Sequence, residues 1–240
     1  MGKLYVIGMG PGGLDHMSKR ALDCINESDV IVGYNKYIEF LQPILGSKEI
    51  HQTGMTKEID RCKEALRLSK DHIVSLISTG DAGVYGMAGL ALELRVDEEI
   101  EVIPGITAAC SAASVLGAPL MHDHCNISLS DLMTPYELIQ KRIKNAAEAD
   151  FVISLYNPRS KGRPHYLMES IDIIRQYRDK STPVGIVKNA LREGQVSTLT
   201  TLENFDDTKV DMMSIVVIGN STSYIKDGRF ITKRGYENKR

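Results

Sequence analysis

The chain carries the run KLYVIGMGPGG at residues 3–13, in which an apolar stretch leads directly into a glycine-rich turn. This pattern is typical of a buried strand that ends in a tight turn. Gly8, Gly10 and Gly13 match the spacing of the dinucleotide-binding fingerprint, but Pro11 removes a backbone N–H donor that a bound pyrophosphate would need. The turn is therefore either a structural connection or a site for another kind of ligand.

The first half of the chain continues with alternating apolar runs and helical patterns. Strands are predicted at residues 4–7, 30–32, 72–77 and 100–103, and helices at residues 17–25, 59–66 and 87–94. In the second helix, Ile59, Cys62 and Leu66 are predicted to share one face. Strands that are separated by helices favour parallel pairing, so we predict an α/β domain with a mostly parallel sheet.

The second half of the chain has a different pattern. A predicted helix at residues 108–116 is followed by Gly-Ala-Pro at 117–119, which breaks the helix, so we predict domains at residues 1–116 and 117–240. The runs 184–187 and 196–199 flank a loop with Gly194, which predicts an antiparallel pair and therefore a mixed sheet. Residues 226–240 are polar and are expected to be loosely ordered. Other predicted strands cover residues 126–129, 151–155 and 214–218, and predicted helices cover 137–147 and 166–177.

Composition excludes several classes of protein. With 42% hydrophobic and 25% charged residues, the chain reads as a folded globular protein, and its formal net charge of −2 argues against a general nucleic-acid binder. No signal region precedes the first strand, and no apolar run approaches the roughly 18 residues of a membrane span, so we expect a cytoplasmic protein. The four cysteines match no metal-site spacing and are predicted to be buried free thiols: Cys24, Cys62, Cys110 and Cys125.

Two more glycine-rich turns follow predicted strands. The run STGDAGVYG covers residues 78–86, and the run EVIPGITA covers residues 101–108. Taken alone, Asp81 and Thr107 could be ordinary helix-capping residues. Because the carboxyl ends of parallel strands meet at one edge of a sheet, three such turns favour a shared ligand there.

The three turns together resemble the tetrapyrrole methylase family. The similarity extends to residues 153–158 (ISLYNP) and 183–189 (PVGIVKN), so it covers nearly the whole chain. Within the family, the run NPRSKGR at residues 157–163 is most similar to the members that methylate carbon 17 of precorrin-3B or cobalt-factor III.

The resemblance implies two α/β domains, usually assembled as a homodimer, with S-adenosylmethionine bound in the cleft between the domains and released as S-adenosylhomocysteine. It implies methylation of carbon 17 in corrin biosynthesis, which similar members couple to ring contraction. A methyltransferase for another carbon and a non-catalytic S-adenosylmethionine-binding protein remain alternatives. The cofactor-binding residues that the resemblance implies are Pro11, Thr79, Gly80, Asp81, Val84, Thr107, Ala108, Tyr156, Asn157 and Ala190.

A corrin precursor carries several carboxylates, which call for basic partners. Arg159, Lys161 and Arg163 alternate on the loop after Asn157 and are the predicted substrate-binding residues. The plain alternative is a solvated basic loop, since exposed lysines and arginines are common.

His122 and His124 flank Asp123 and could share one face of a strand. No further ligand spacing supports a closed metal site, so we predict none. Either histidine, or Asp131, is a candidate general acid or base.

Overall fold

The computed structural model describes residues 2–160 and 162–236. The chain forms two compact units, of which unit 1 ends at Ala108 and unit 2 begins at Ala109. The division follows the first residue of the helix at residues 108–116, whereas the sequence-based junction comes after this helix. This helix packs within unit 2, where its Leu116 side chain covers Gly185.

Unit 1 is a five-stranded parallel sheet with the strand order β3-β2-β4-β1-β5. The predicted parallel sheet is therefore confirmed. Its elements are β1 (Lys3–Gly8), α1 (Lys19–Glu27), β2 (Val30–Tyr34), α2 (Asn35–Leu45), β3 (Glu49–Thr53), α3 (Glu58–Leu68), β4 (Ile73–Ser78), α4 (Ala88–Leu94) and β5 (Ile100–Ile103).

The central strands of unit 1 are apolar because both faces of the sheet are covered. Leu4 and Val6 of β1 belong to one hydrophobic cluster, and Tyr5 and Ile7 belong to another. Successive side chains of a strand point to opposite faces, so a continuous apolar run is what a doubly covered sheet requires.

Unit 1 differs from the sequence-based predictions in several details, and one of them is helix α2, which was not predicted. Strand β3 was not predicted, because its sequence EIHQT is polar and it lies at the edge of the sheet with most side chains exposed or half-buried. Ile59 was placed with Cys62 and Leu66 on one face of a helix, but Ile59 is 51% exposed while the other two are buried.

Unit 2 contains a mixed five-stranded sheet, as predicted, with the order β10-β9-β11-β8-β7. Strands β7 and β8 are parallel, and β8, β11, β9 and β10 pair antiparallel in that order. Its elements are α5 (Ala108–Leu116), β6 (Gly117–Ala118), β7 (His124–Ser128), α6 (Tyr136–Glu148), β8 (Val152–Tyr156), α7 (Tyr166–Arg175), β9 (Pro183–Lys188), β10 (Val196–Thr201), β11 (Ser214–Ile218), β12 (Ser223–Lys226) and β13 (Arg229–Thr232).

One stretch near the end of the described residues is more ordered than the sequence suggests, and residues 237–240 of the predicted loose segment lie outside the described residues. The loose order expected for residues 226–240 is wrong for Arg229–Thr232, which form β13 of a small sheet with the order β12-β13-β6. Phe230 is fully buried and pairs with Gly117. The burial of this strand depends mainly on one aromatic side chain. Because most of the neighbouring residues are polar, the sequence shows no strand pattern there.

The carboxyl edge of the unit 1 sheet is held by glycine backbones in close contact. Strand β1 lies between β4 and β5, so the turns after these three strands are neighbours. A Cβ atom at Gly8 would lie 2.8 Å from the Gly105 nitrogen and 2.8 Å from the Gly80 oxygen. Gly10 and Gly80 also exchange two backbone hydrogen bonds, of 3.0 and 2.8 Å. Only glycine fits such an approach of backbone to backbone.

Across residues 2–160 and 162–236, no helix has both the length and the apolar character needed to cross a bilayer.

Cys24 and Cys62 are buried as predicted, but Cys110 is exposed and Cys125 is half-buried. Cys110 lies one helical turn from the exposed Ser114, on the outer face of α5. Burial raises the pKa of Cys62 and of Cys125 to about 11. At neutral pH these two thiols therefore remain protonated and unreactive.

We predict that Gly8→Ala destabilises the fold by about 2 kcal/mol, because the added methyl group overlaps backbone atoms that cannot move independently. Gly89→Ala is the matched control, since Gly89 lies in α4 and a Cβ there meets nothing within 4 Å. The measurement is urea denaturation of both variants. Equal stability of Gly8→Ala and the wild type would show that the turns are not packed as described.

We also predict that one thiol reacts quickly with iodoacetamide in the native protein, and that this thiol is Cys110. Mass spectrometry of peptides, before and after unfolding, measures the labelling of each cysteine. Cys24 and Cys62 should become labelled only after unfolding, because they are fully buried. Rapid native labelling of Cys62 would contradict the burial of the inner face of α3.

Candidate functional site

Three turns meet at the carboxyl edge of the unit 1 sheet. We call them turn 1 (residues 9–13, after β1), turn 2 (residues 79–87, after β4) and turn 3 (residues 104–107, after β5). In open α/β sheets, this is the edge at which ligands bind.

Asp81 joins turn 2 to turn 3. Its Oδ1 accepts a hydrogen bond of 2.8 Å from the backbone N–H of Gly83, and its Oδ2 accepts one of 3.0 Å from the backbone N–H of Gly105. Helix α4 begins later, at Ala88, and the residue before it is Met87. The helix-cap interpretation of Asp81 is therefore wrong, and its carboxylate instead fixes the distance between two turns.

The implied cofactor residues of unit 1 all lie at this edge. Gly80 has a φ of 64°, a conformation that favours glycine. A Cβ atom added there would lie 3.7 Å from the Ala108 nitrogen and 3.8 Å from the Thr107 Cα, so turns 2 and 3 are neighbours at this point. The Thr79 hydroxyl lies 3.5 Å from the Gly10 carbonyl oxygen. Pro11 is buried, whereas Thr79, Gly80, Asp81, Val84, Thr107 and Ala108 are partly exposed.

The unit 2 sheet has its own carboxyl edge. Strands β7 and β8 are parallel, and β9 runs in the same direction because β8 and β9 both pair antiparallel with β11. The residues that follow these three strands therefore lie at one edge. They include Asp131, Asn157 and Ala190.

Tyr156 and Asn157 form the centre of this edge. The Tyr156 hydroxyl accepts a hydrogen bond of 2.8 Å from the backbone N–H of Ala109, one of the donors left unpaired by the first turn of α5. Asn157 has a φ of 50°, in the left-handed region that asparagine tolerates better than most residues. Its side-chain amide donates to the Ser128 hydroxyl over 3.0 Å.

The loop after β9 repeats this backbone feature. Asn189 and Leu191, on either side of Ala190, have φ angles of 50° and 58°. A left-handed leucine is strained, and such strain often accompanies ligand-binding loops.

The predicted substrate-binding arginines have partners within unit 2. The Arg159 Nη1 donates to the backbone oxygen and to Oδ2 of Asp207, over 2.9 and 3.0 Å. Arg163 is buried, 8% exposed, and its guanidinium faces Leu129, Asn157 and Asp131. Lys161 lies outside the described residues.

The candidate acid–base residues are not brought together. His124 is the first residue of β7, whereas Asp131 follows the other end of that strand, so roughly 13 Å of extended chain separates the two ends. His122 and His124 instead line an open groove of about 460 Å³, with Met121, Phe151 and Arg234 among the other lining residues. A catalytic role for either histidine stays a prediction.

Within the part of the chain that the structure describes, no three His, Cys, Asp or Glu side chains are grouped as metal ligands would be.

Comparisons with known proteins agree with this arrangement. Residues 3–206 match the family of tetrapyrrole (corrin/porphyrin) methylases. The chain is 50% identical to a probable cobalt-factor III C(17)-methyltransferase of Salmonella typhimurium, over 97% of this chain and 99% of that protein. It is 36% identical to a precorrin-3B C(17)-methyltransferase of Sinorhizobium sp, over 95% of this chain and 93% of that protein.

Among solved structures, the methyltransferase CobJ matches with a TM-score of 0.91 and 32% identity, over 97% of this chain and all of CobJ. The resemblance inferred from the three turns is thereby confirmed. This chain belongs to the tetrapyrrole (corrin/porphyrin) methylases.

Proposed function

We propose that the chain transfers a methyl group from S-adenosylmethionine to carbon 17 of cobalt-factor III or precorrin-3B, in corrin biosynthesis. The observation that carries the proposal is the meeting of three glycine turns at the carboxyl edge of unit 1. The family and the two C(17)-methyltransferase relatives support both the reaction and its carbon.

The cobalt-containing substrate is the better supported of the two. Identity is 50% to the relative named for cobalt-factor III and 36% to the one named for precorrin-3B. The higher overall identity therefore favours cobalt-factor III.

The residues of the unit 1 edge fit a sulfonium cofactor. The implied cofactor residues include one carboxylate, Asp81, and neither lysine nor arginine. A set of contact residues without basic side chains suits a ligand with a positively charged sulfur better than a nucleotide phosphate. The half-buried Thr79, Gly80 and Val84 leave backbone and small side chains available for contact.

The chemistry demands positioning more than proton transfer. Bound S-adenosylmethionine supplies a methyl group on a positively charged sulfur; the carbon–sulfur bond breaks as the bond to carbon 17 forms, and sulfur keeps the electron pair. Alignment of the two reactants and exclusion of water are the main contributions a protein can make to such a displacement. The tied turns of unit 1 supply a rigid surface for one reactant.

The remaining implied residues belong to unit 2. Tyr156, Asn157 and Ala190 are proposed to contact the cofactor, and Arg159 and Lys161 the substrate carboxylates. Arg159 keeps 34% of its side chain exposed beside Asp207, which leaves part of the guanidinium accessible. We further propose that the chain acts in the cytoplasm as a homodimer, the assembly that the family resemblance implies.

We expect the purified chain to convert cobalt-factor III and S-adenosylmethionine to a product that carries one added methyl group. With a carbon-13 methyl donor, mass spectrometry gives the number of transferred groups, and NMR identifies the labelled carbon and any ring contraction. Precorrin-3B serves as the matched cobalt-free substrate and should react more slowly. Label on another carbon would support a different methyltransferase, and cofactor binding without turnover of either substrate would support a binding protein.

We predict that Asp81→Ala weakens the binding of S-adenosylhomocysteine about tenfold, because the N–H groups of Gly83 and Gly105 lose a charged acceptor and turns 2 and 3 separate. Isothermal titration calorimetry measures the affinity. Asp29→Ala is the matched control: the Asp29 carboxylate accepts a hydrogen bond of 2.9 Å from the backbone N–H of Ile73, at the opposite edge of the same sheet. Equal affinity of the two variants for S-adenosylhomocysteine would show that Asp81 does not support cofactor binding.

A further inference from the structure

Arg163 connects two loops at the carboxyl edge of unit 2. Its Nη1 donates to the backbone oxygen of Leu129 and, over 3.3 Å, to the backbone oxygen of Asn157. Leu129 follows β7 and Asn157 follows β8, which are parallel neighbours. One guanidinium group therefore holds together the chain segments that leave two adjacent strands.

Further contacts tie the same two segments. The Leu129 backbone N–H donates to the backbone oxygen of Tyr156 over 2.9 Å, and the Asn157 side-chain amide donates to the Ser128 hydroxyl. Asn157 needs such support, because a left-handed conformation at a residue other than glycine persists only where its surroundings determine it. Arg163 supplies the charged part of that support.

Asp131 is the counterion of this arginine. Its Oδ1 lies 3.5 Å from the Arg163 Nε, and its Oδ2 accepts a hydrogen bond of 2.9 Å from the Tyr166 hydroxyl. That hydrogen bond is the main reason why the pKa of Tyr166 is raised, so the hydroxyl stays protonated and continues to donate.

A stacked tyrosine pair holds Tyr166 in turn. The rings of Tyr136 and Tyr166 are 3.7 Å apart and nearly parallel, at 11°. The Tyr136 hydroxyl donates to Glu169 over 2.6 Å. Helices α6 and α7 thus fix the carboxylate that faces the guanidinium.

We propose that Arg163 is a positioning residue that fixes Asn157, and that Asp131 is its counterion rather than a general acid or base. The proposal rests on the function proposed above, in which Asn157 contacts the cofactor. It assigns Arg163 a role different from the substrate contact predicted from its charge. The Nη1 and Nε donors of the buried guanidinium point to protein acceptors, and the loss of this group moves Asn157.

The planar fork of arginine is essential to this role. It presents several N–H donors in fixed directions and so reaches two carbonyl oxygens and a carboxylate at once. Lysine carries the same charge but concentrates it at one nitrogen on a flexible stem. A substrate carboxylate would accept either side chain, whereas simultaneous contact with both loops and with Asp131 uses two separate nitrogens of arginine, Nη1 and Nε.

The test compares Arg163→Met, Arg163→Lys and Tyr166→Phe with the wild-type chain, by calorimetry with S-adenosylhomocysteine and by steady-state kinetics with cobalt-factor III. Arg163→Met should weaken cofactor-product binding about tenfold and lower kcat about tenfold or more, with the tetrapyrrole KM changed less than about twofold. Arg163→Lys should restore little of either loss. Tyr166→Phe should cause a loss of about threefold in the same direction.

Arg175→Met is the matched control. The Arg175 guanidinium also joins a backbone oxygen, that of Leu202, to a carboxylate, that of Asp172, elsewhere in unit 2. This variant should lower the melting temperature and leave cofactor-product affinity unchanged. A general loss of stability is thereby separated from the positioning of Asn157.

A raised tetrapyrrole KM with normal cofactor-product affinity, or full rescue by Arg163→Lys, would overturn the proposal in favour of a substrate contact. If Arg163→Met does not fold, unchanged affinity and kcat in both remaining variants would overturn it as well. Amide hydrogen exchange without any ligand separates this proposal from the proposed function. Faster exchange at the Leu129 amide in Arg163→Lys is expected even if the wild type binds no S-adenosylhomocysteine, and normal exchange there would count against the positioning role alone.

Discussion

The contact of three glycine backbones at the carboxyl edge of unit 1 is the constraint on which the candidate site depends. Gly8, Gly80 and Gly105 approach so closely that a Cβ at Gly8 or Gly105 would collide with a neighbouring turn. This packing explains the glycines without a ligand, which is why each turn alone is weak evidence of function. The convergence of the turns, and the carboxylate of Asp81 between two of them, give the edge its defined shape.

The carboxyl edge of unit 2 also has a defined shape, but side chains rather than glycine backbones set it. Its edge has asparagines in left-handed conformations after β8 and β9, where unit 1 has glycines. Asparagine is sterically less favourable than glycine in this conformation, but it carries a side-chain amide that can form hydrogen bonds. The amide of Asn157 donates to the Ser128 hydroxyl. Such an edge depends on surrounding side chains, among them the buried Arg163.

The sequence predicts the parts of this structure that leave a local pattern. Buried strands such as β1 and β4 are continuous apolar runs, and the glycine turns identify the family. The polar edge strand β3 and the strand around Phe230 leave little pattern, because the first is exposed and the second depends on a single side chain. The partners of Arg163 and Asp131 come from other elements, so charge and spacing indicated contact with substrate but not a contact inside the protein.

The two-way hydrogen bonding between Gly10 and Gly80 has a consequence for how such enzymes diversify. Because Gly10 and Gly80 are bonded to each other, an insertion between β1 and Gly10 or between β4 and Gly80 would break both bonds and separate the turns. The length of these two segments is therefore constrained at the edge where the methyl donor is proposed to bind. New substrate preferences within the fold would have to arise by remodelling the loops of unit 2, where side chains rather than backbone set the shape.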